Sequence, residues 1–205
     1  MLFIYLIIGI LTSFIGALPL GASNIAVMNT TIKQNAKQAL KIVLAAGVAE
    51  VILSYYALHC NMAVRDFFDR NIWIQISIVV VLMLVGAFLF FKKNKDKSAK
   101  PSRFTSKYAT GFILGLFNPP VLLYWIVAFG FINTNAVMLS LQSSLPVLVL
   151  FFLGVYLGKV LTLYGYSKFS LIIKNRSQNI GFLMNKVTGV LLVIIALAQA
   201  IKLSL

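Results

Sequence analysis

Two ionisable side chains inside long apolar stretches are the first candidates for chemistry in this sequence. Glu50 is the one acidic residue within such a stretch, and Lys159 is the one clearly internal base. At about 1.5 Å per residue, Glu50 lies roughly 16 Å along its stretch, near the middle of a bilayer. A carboxylate at that depth is costly, so it stays protonated, faces a water-filled cavity or pairs with a cation. We predict that Glu50 is a proton-coupling residue or binds a substrate amine; a structural carboxyl bonded to a neighbouring helix is the alternative.

Lys159 has three alternative roles. It pairs with Glu50, it contacts a substrate carboxylate, or its long stem carries the amine to the membrane interface. The sequence is compatible with all three roles, so Lys159 is one of the predicted substrate-binding residues.

Proline and glycine interrupt two of the apolar stretches at corresponding places. The first stretch contains the segment 16–24, and the fourth contains Gly111, Gly115 and the segment 117–120. Each proline removes a backbone donor and crowds the preceding turn, so both helices should be kinked or broken. Paired breaks point to a substrate site in transporters, although proline and glycine are also commoner in membrane helices generally. The predicted substrate-binding residues are Pro19, Gly21, Ser23, Asn24, Asn118, Pro119 and Lys159.

The composition indicates that these stretches cross a membrane. Of 205 residues, 60% are hydrophobic and 11% are charged, and the mean hydropathy is +0.96, whereas an ordinary soluble domain carries roughly 25% charged residues. A water-soluble core cannot bury that much apolar surface. We predict an all-α integral membrane protein, because six segments approach or exceed the roughly 20 residues that cross the hydrocarbon. They are residues 2–28, 39–61, 72–91, 108–132, 145–169 and 182–201.

The basic residues predict the orientation of the chain. Of the 18 lysines and arginines, 14 lie at the connections that follow the first, third and fifth spans, 3 lie on the opposite side, and Lys159 lies within a span. Cytoplasmic loops of membrane proteins carry an excess of Lys and Arg. These three connections are therefore predicted to be cytoplasmic, with both termini outside.

The most basic connection divides the chain into two halves. Residues 92–107 separate residues 1–91 from residues 108–205, with three predicted spans in each half. With an odd number of spans per half, related halves run with opposite topology, and such inverted repeats are a common transporter plan. We predict a single membrane domain over residues 1–205, built from two inverted three-helix repeats with broken first and fourth helices.

Several other classes of function lack support in the sequence. The net charge of +14 does not indicate nucleic-acid binding, because the basic residues lie between apolar spans and no recognition motif accompanies them. Cys60 is the only cysteine, which excludes an intrachain disulfide. We see no nucleotide-binding motif and no intramembrane nucleophile–base cluster, so we predict no cofactor, no metal and no enzyme. Glu50 and His59 lie about 13 Å apart along a helix, too far to share one ion.

The same motifs resemble those of a known family, the lysine-exporter superfamily of LysE-type and homoserine/threonine-resistance-type amino-acid exporters. Residues 19–21 stand where this family has Pro-Gly-Pro, and residues 45–50 stand where it has Gly-x-x-x-Gly-Asp. Asn118 and Pro119 stand where it has Asn-Pro-Lys, and residues 185–192 are similar to its final span. The sequence departs from the family at six positions. Leu20 and Gly21 replace the Gly-Pro of the first motif, and Ala45 and Ala49 replace the two glycines of the second. Glu50 replaces the Asp of the second motif, and Pro120 replaces the Lys of the third.

The resemblance implies an exporter of the bacterial inner (plasma) membrane that moves an amino acid or related small metabolite and is driven by the proton motive force. Its partners would be that small molecule and the lipid bilayer, and the resemblance is compatible with either a monomer or a homo-oligomer. The departures line the presumed site, so the resemblance does not name the substrate. A divalent-metal or other small-solute exporter of the same superfamily, and a non-transporting scaffold subunit, are the alternatives.

A labelling experiment tests the predicted orientation. A cysteine introduced into residues 92–107, in a variant lacking Cys60, should resist a membrane-impermeant maleimide in intact cells and react once the membrane is opened. The charge distribution predicts this because it assigns that connection to the cytoplasm. Ready reaction in intact cells would overturn the orientation and the inverted-repeat argument.

Overall fold

The computed structural model describes residues 2–19, 21–70 and 106–173, together with isolated helical positions between residues 73 and 91 and between residues 190 and 197. Over these residues the regular secondary structure is helical throughout, as the sequence predicted. Six helices have defined bounds: α1 (Phe3–Ala17), α2 (Ala22–Lys33), α3 (Ala36–Arg70), α4 (Lys107–Leu116), α5 (Pro119–Asn135) and α6 (Leu145–Ile173).

The chain divides into two compact units. The first contains Met1–Ala63 and Ala99–Arg176, and the second contains Val64–Ser98 and Ser177–Leu205. The first unit holds α1, α2, α4, α5, α6 and most of α3. Each unit takes segments from both predicted halves, so the inverted three-helix repeat stays a prediction.

Two of the helices are long and apolar enough to cross a bilayer by themselves. They are the 25-residue segment Ala36–Cys60 of α3 and the 27-residue segment Leu145–Leu171 of α6. These segments correspond to the predicted spans 39–61 and 145–169. The predicted spans 72–91 and 182–201 lie outside the described residues except for isolated helical positions.

Two further predicted spans are bent helix pairs. α1 and α2 meet at 77°, and α4 meets the segment Pro120–Asn133 of α5 at 56°. The first break contains Pro19, and the second falls immediately before Pro119. Proline causes both, because it lacks the N–H of a continuing helix and its ring crowds the turn before it. The first and fourth predicted helices are therefore interrupted where the sequence indicated.

Glycines let α1 and α6 pack with their backbones nearly in contact. A Cβ on Gly9 would collide with the carbonyl oxygen of Phe151, and one on Gly154 would collide with that of Leu6. A Cβ on Gly158 would lie 2.5 Å from the carbonyl oxygen of Ile10. Gly154 and Gly158 are four residues apart on one face, the spacing that brings membrane helices together. α1 is thereby held against the middle of α6.

The outer surface of the unit is apolar. Large hydrophobic side chains such as Phe3, Leu123 and Leu161 are exposed, while polar residues including Ser13, Asn24, Glu50 and Lys159 are buried. Lipid favours this distribution, because the hydrocarbon solvates apolar side chains and offers no partner to polar ones. The chain is a multi-pass membrane protein.

The α1–α6 contact gives a matched pair of stability predictions. Gly154→Ala should destabilise the protein by about 1–3 kcal/mol, because the new methyl group meets backbone atoms of α1 that cannot move aside. Gly165→Ala on the same helix is the control, since a Cβ there meets nothing within 4 Å. Thermal unfolding in detergent should show a lower midpoint for Gly154→Ala only. Equal midpoints for the two variants would contradict the close approach.

Candidate functional site

A buried ion pair lies at the centre of the first unit. Glu50 of α3 is 0% exposed and Lys159 of α6 is 3% exposed. Lys159 Nζ lies 3.0 Å from Glu50 Oε2. Of the three roles that the sequence left open for Lys159, the structure therefore shows the pairing with Glu50. The amine does not snorkel to the membrane interface, because its side chain is enclosed by protein.

Trp125 of α5 completes the surroundings of the carboxylate. Its indole Nε1 donates a hydrogen bond of 2.9 Å to Glu50 Oε1. The other oxygen, Oε2, has no hydrogen-bond partner of good geometry among the described residues, so its contact is the ion pair. Trp125 is itself fully buried and packs against the rings of Phe129 and Phe151. One carboxylate thus ties together α3, α5 and α6.

Small residues on α3 allow its neighbours to come this close to Glu50. A Cβ on Gly47 would lie 2.7 Å from the ring of Tyr156 in α6, and one on Gly115 of α4 would lie 2.7 Å from the Cβ of Ala49. A Cβ on Gly111 of α4 would collide with the carbonyl oxygen of Ile42. The small residues that precede Glu50 in the sequence therefore contact neighbouring helices, Gly47 contacting α6 and Ala49 contacting α4.

Side chains repair the carbonyl groups that the first break leaves free. Asn24 Nδ2 donates to the carbonyl oxygens of Ala17 at 2.9 Å and Pro19 at 3.0 Å. The hydroxyl of Tyr166 in α6 donates to the carbonyl oxygen of Leu18 at 2.5 Å. Unpaired carbonyls at membrane depth are costly, so these bonds make the break a fixed feature.

The two breaks lie side by side. A Cβ built on Gly21 would be 3.5 Å from Asn118 Nδ2 and 4.0 Å from Asn24 Oδ1. Ser23, on the first turn of α2, is 1% exposed, and its hydroxyl has no hydrogen-bond partner within the described part of the chain. Of the predicted substrate-binding positions, Gly21, Asn24 and Asn118 thus lie close together. Pro19 and Ser23 lie two residues before and after Gly21 in the chain.

Two helices connect the ion pair to these breaks. α6 carries Lys159 and, seven residues later, Tyr166, which bonds the carbonyl oxygen of Leu18 at the first break. α5 begins after Asn118 and carries Trp125 seven residues from it. Seven residues are two helical turns, about 10 Å, and return to the same face. The ion pair and the two breaks are therefore linked through α5 and α6, about two helical turns apart on each.

From the sequence alone, an interfacial belt is the commoner role for the aromatics Tyr55, Tyr56, Tyr124, Trp125 and Tyr164, with a pathway lining as the alternative, and Trp73 fits such a belt at the start of its span. The structure corrects this for Trp125, because Trp125 is buried and bonded to Glu50. The missed signal was its position in the interior of the predicted span 108–132, since belt residues lie at span ends. Tyr124 beside it is also internal, with its ring against Gly16 and its hydroxyl bonded to the carbonyl oxygen of Thr12. Trp73 is 77% exposed, in keeping with the belt predicted for it.

The remaining candidate ligands do not converge. His59 is exposed, and Cys60 is half-buried. Among the described residues, no group of three or more His, Cys, Asp or Glu side chains could hold a metal ion.

Long apolar helices, two neighbouring helix breaks and a buried ion pair two helical turns away are features typical of membrane transporters. The family model of the LysE type translocator matches residues 14–203, and the chain belongs to this family. The predicted membership of the lysine-exporter superfamily is thereby confirmed. The family consists of transporters and implies export of amino acids or related solutes. Neither a curated protein nor a solved structure matches the chain.

The bond from Trp125 to Glu50 can be tested by a double-mutant cycle. Trp125→Phe should lower the free energy of unfolding by about 1–3 kcal/mol in addition to the cost of the cavity that it creates, because a buried carboxylate oxygen loses its hydrogen-bond donor. The cavity is the same in a Glu50→Gln background, whereas the lost bond there is to a neutral acceptor and worth less. Thermal unfolding is measured for the wild type, the two single variants and the double variant. The loss of stability caused by Trp125→Phe should be larger in the wild type than in the Glu50→Gln background. Additive effects would mean that the indole N–H does not stabilise the carboxylate.

Proposed function

We propose that this protein is a secondary transporter that exports an amino acid or a related small metabolite, coupled to the proton motive force. It would act in the bacterial inner membrane with both termini outside. The single observation that carries the proposal is the ion pair between Glu50 and Lys159, buried at the junction of α3 and α6. Membership of the LysE type translocator family supports export as the direction.

Protonation of Glu50 would change the energy of this junction. The neutral acid no longer balances the charge of Lys159, and a buried charge that loses its partner costs about 3–5 kcal/mol. The helices can avoid that cost by moving until Lys159 reaches water or a new partner. Such a junction has two states, and the proton on Glu50 selects between them.

The proton motive force, which combines the membrane potential and the pH difference, is the energy source in this proposal. Moving one elementary charge through a potential of 100 mV provides about 2.3 kcal/mol. In our proposal, Glu50 takes up a proton from outside as the substrate leaves, and it releases that proton to the cytoplasm before the next substrate binds. Export of the solute is then paid for by inward movement of the proton.

The substrate would bind where the two breaks meet. Gly21, Asn24 and Asn118 lie together there, and main-chain groups at a helix break can bind a polar ligand. Because Trp125 and Tyr166 connect the ion pair to this place through α5 and α6, occupancy of the substrate site and protonation of Glu50 would influence one another. No cofactor and no nucleic acid enters this scheme.

Glu50→Gln in proteoliposomes tests the coupling. The amide mimics the protonated acid at nearly constant volume, so an imposed pH gradient should no longer stimulate export, while exchange of substrate for substrate should persist. Glu50→Asp keeps a titratable acid and should retain part of the gradient response. The substrate is first identified by feeding dipeptides to cells with and without the protein and measuring which amino acids accumulate outside.

The double variant Glu50→Gln/Lys159→Gln is the matched control for folding. It removes both charges, so no unpaired cation is buried, and the protein should unfold at a midpoint close to that of the wild type. It should also lack the gradient response. If either Gln variant responds to the gradient as the wild type does, Glu50 is a structural group and the proposed coupling is wrong. Absence of export by the wild type would instead favour a scaffold subunit.

A further inference from the structure

We infer that the start of α2 binds the carboxylate of the exported solute, through Ser23 and the first N–H groups of the helix. This assignment rests on the proposed function and makes it more specific. It requires a substrate with a free carboxylate, and it fixes which end of a zwitterionic amino acid faces α2.

The start of α2 offers donors that nothing in the helix itself satisfies. The first N–H groups of an α-helix have no intrahelical acceptor, and they carry the positive end of the helix dipole. The N-cap residue is Gly21, whose backbone is extended (φ −89°, ψ 178°) and which has no side chain, so no side-chain cap hydrogen bond is made here. α2 contains 12 residues, long enough for a developed dipole. An anionic group bound here would occupy the acceptor position that Gly21 leaves open.

Ser23 provides an independent pointer to a ligand. Its hydroxyl is buried and has no hydrogen-bond partner within the described part of the chain, whereas buried hydroxyls normally have one. The Cα–Cβ bond of a helical residue tilts towards the N-terminus, so on the first turn of α2 this side chain is directed at the break. A carboxylate oxygen at the helix start would accept from this hydroxyl.

The start of α5 cannot play the same part. Its first two positions are Pro119 and Pro120, which have no N–H. The next two donors, the N–H groups of Val121 and Leu122, both bond to the carbonyl oxygen of Asn118, at 3.0 and 3.3 Å. The second break therefore has no free main-chain donor at its helix start. It contributes the side-chain amide of Asn118, which lies beside Gly21.

Lys159 is also unsuited to hold the carboxylate. Its amine is already paired with Glu50 at 3.0 Å, and a substrate carboxylate could take it only by leaving Glu50 without its counter-ion. The dipole of α2 repels an ammonium group, so the amine of the substrate must point away from α2. The first break is then the anion end of the site.

Ser23→Ala and Ser13→Ala form the test pair in proteoliposomes. Ser13 of α1 is buried to the same degree, and its hydroxyl likewise has no partner among the described residues, but it lies outside the break. The vesicles are loaded with a mixture of proteinogenic L-amino acids or with the α-carboxamides of the same amino acids. The carboxamides keep the amine and the side chain but lose the negative charge. Efflux is measured by mass spectrometry against internal concentration, under an imposed pH gradient.

We expect the wild type to export amino acids and not their carboxamides. Ser23→Ala should raise the KM for the exported amino acid about tenfold or more, the loss expected for a hydrogen bond to a charged group, and keep its response to the gradient. Ser13→Ala should behave as the wild type. Equal KM values for the two variants, or equal export of carboxamides and acids, would overturn the carboxylate assignment while leaving the proposed function intact. If the folded wild type exports neither mixture, both proposals are wrong.

Discussion

The interaction on which this structure depends is the ion pair between Glu50 and Lys159 in an apolar interior. Taking two charges out of water carries a large desolvation cost, which only close contact and additional hydrogen bonds offset. Here the contact is 3.0 Å, and Trp125 supplies the additional donor to Glu50. Such a contact requires α6 to lie close to α3, and Gly47 permits this, because a Cβ there would lie 2.7 Å from the ring of Tyr156.

The helix breaks present the opposite problem, because they expose main-chain groups where water is scarce. The protein treats the two ends of the first break differently. On the carbonyl side, Asn24 and Tyr166 donate to three carbonyl oxygens, so that side is satisfied. On the N–H side, Gly21 provides no cap and Ser23 has an unpaired hydroxyl. At the second break, the two prolines have no N–H, and the next two N–H groups bond to the carbonyl oxygen of Asn118. Available donors are thus concentrated at one of the two breaks.

The charged junction and the breaks belong to one mechanical system, since α5 and α6 each carry a contact to both. Along α6 the two contacts are Lys159 to Glu50 and Tyr166 to Leu18, and both lie on one face of the helix. The two contacts are two helical turns apart, so a movement of α6 as a body would change both of them together. Packed helix interfaces prefer discrete arrangements to continuous deformation, which suits a transporter that must alternate between two states.

The sequence by itself determined the properties that depend on local chemistry. Apolar length predicted membrane helices, and the lack of an N–H in Pro19 and Pro119 predicted both interruptions, because hydropathy and proline geometry act within a few residues. It also identified Glu50 as exceptional, since one carboxylate in a long apolar helix is costly in any fold. Only the tertiary structure decided how that cost is met. Trp125 and Glu50 are 75 positions apart in the chain, so their contact depends on how the helices pack, and no local pattern encodes it. The same is true of the approach of α6 to α3 at Gly47, which brings Lys159 to Glu50.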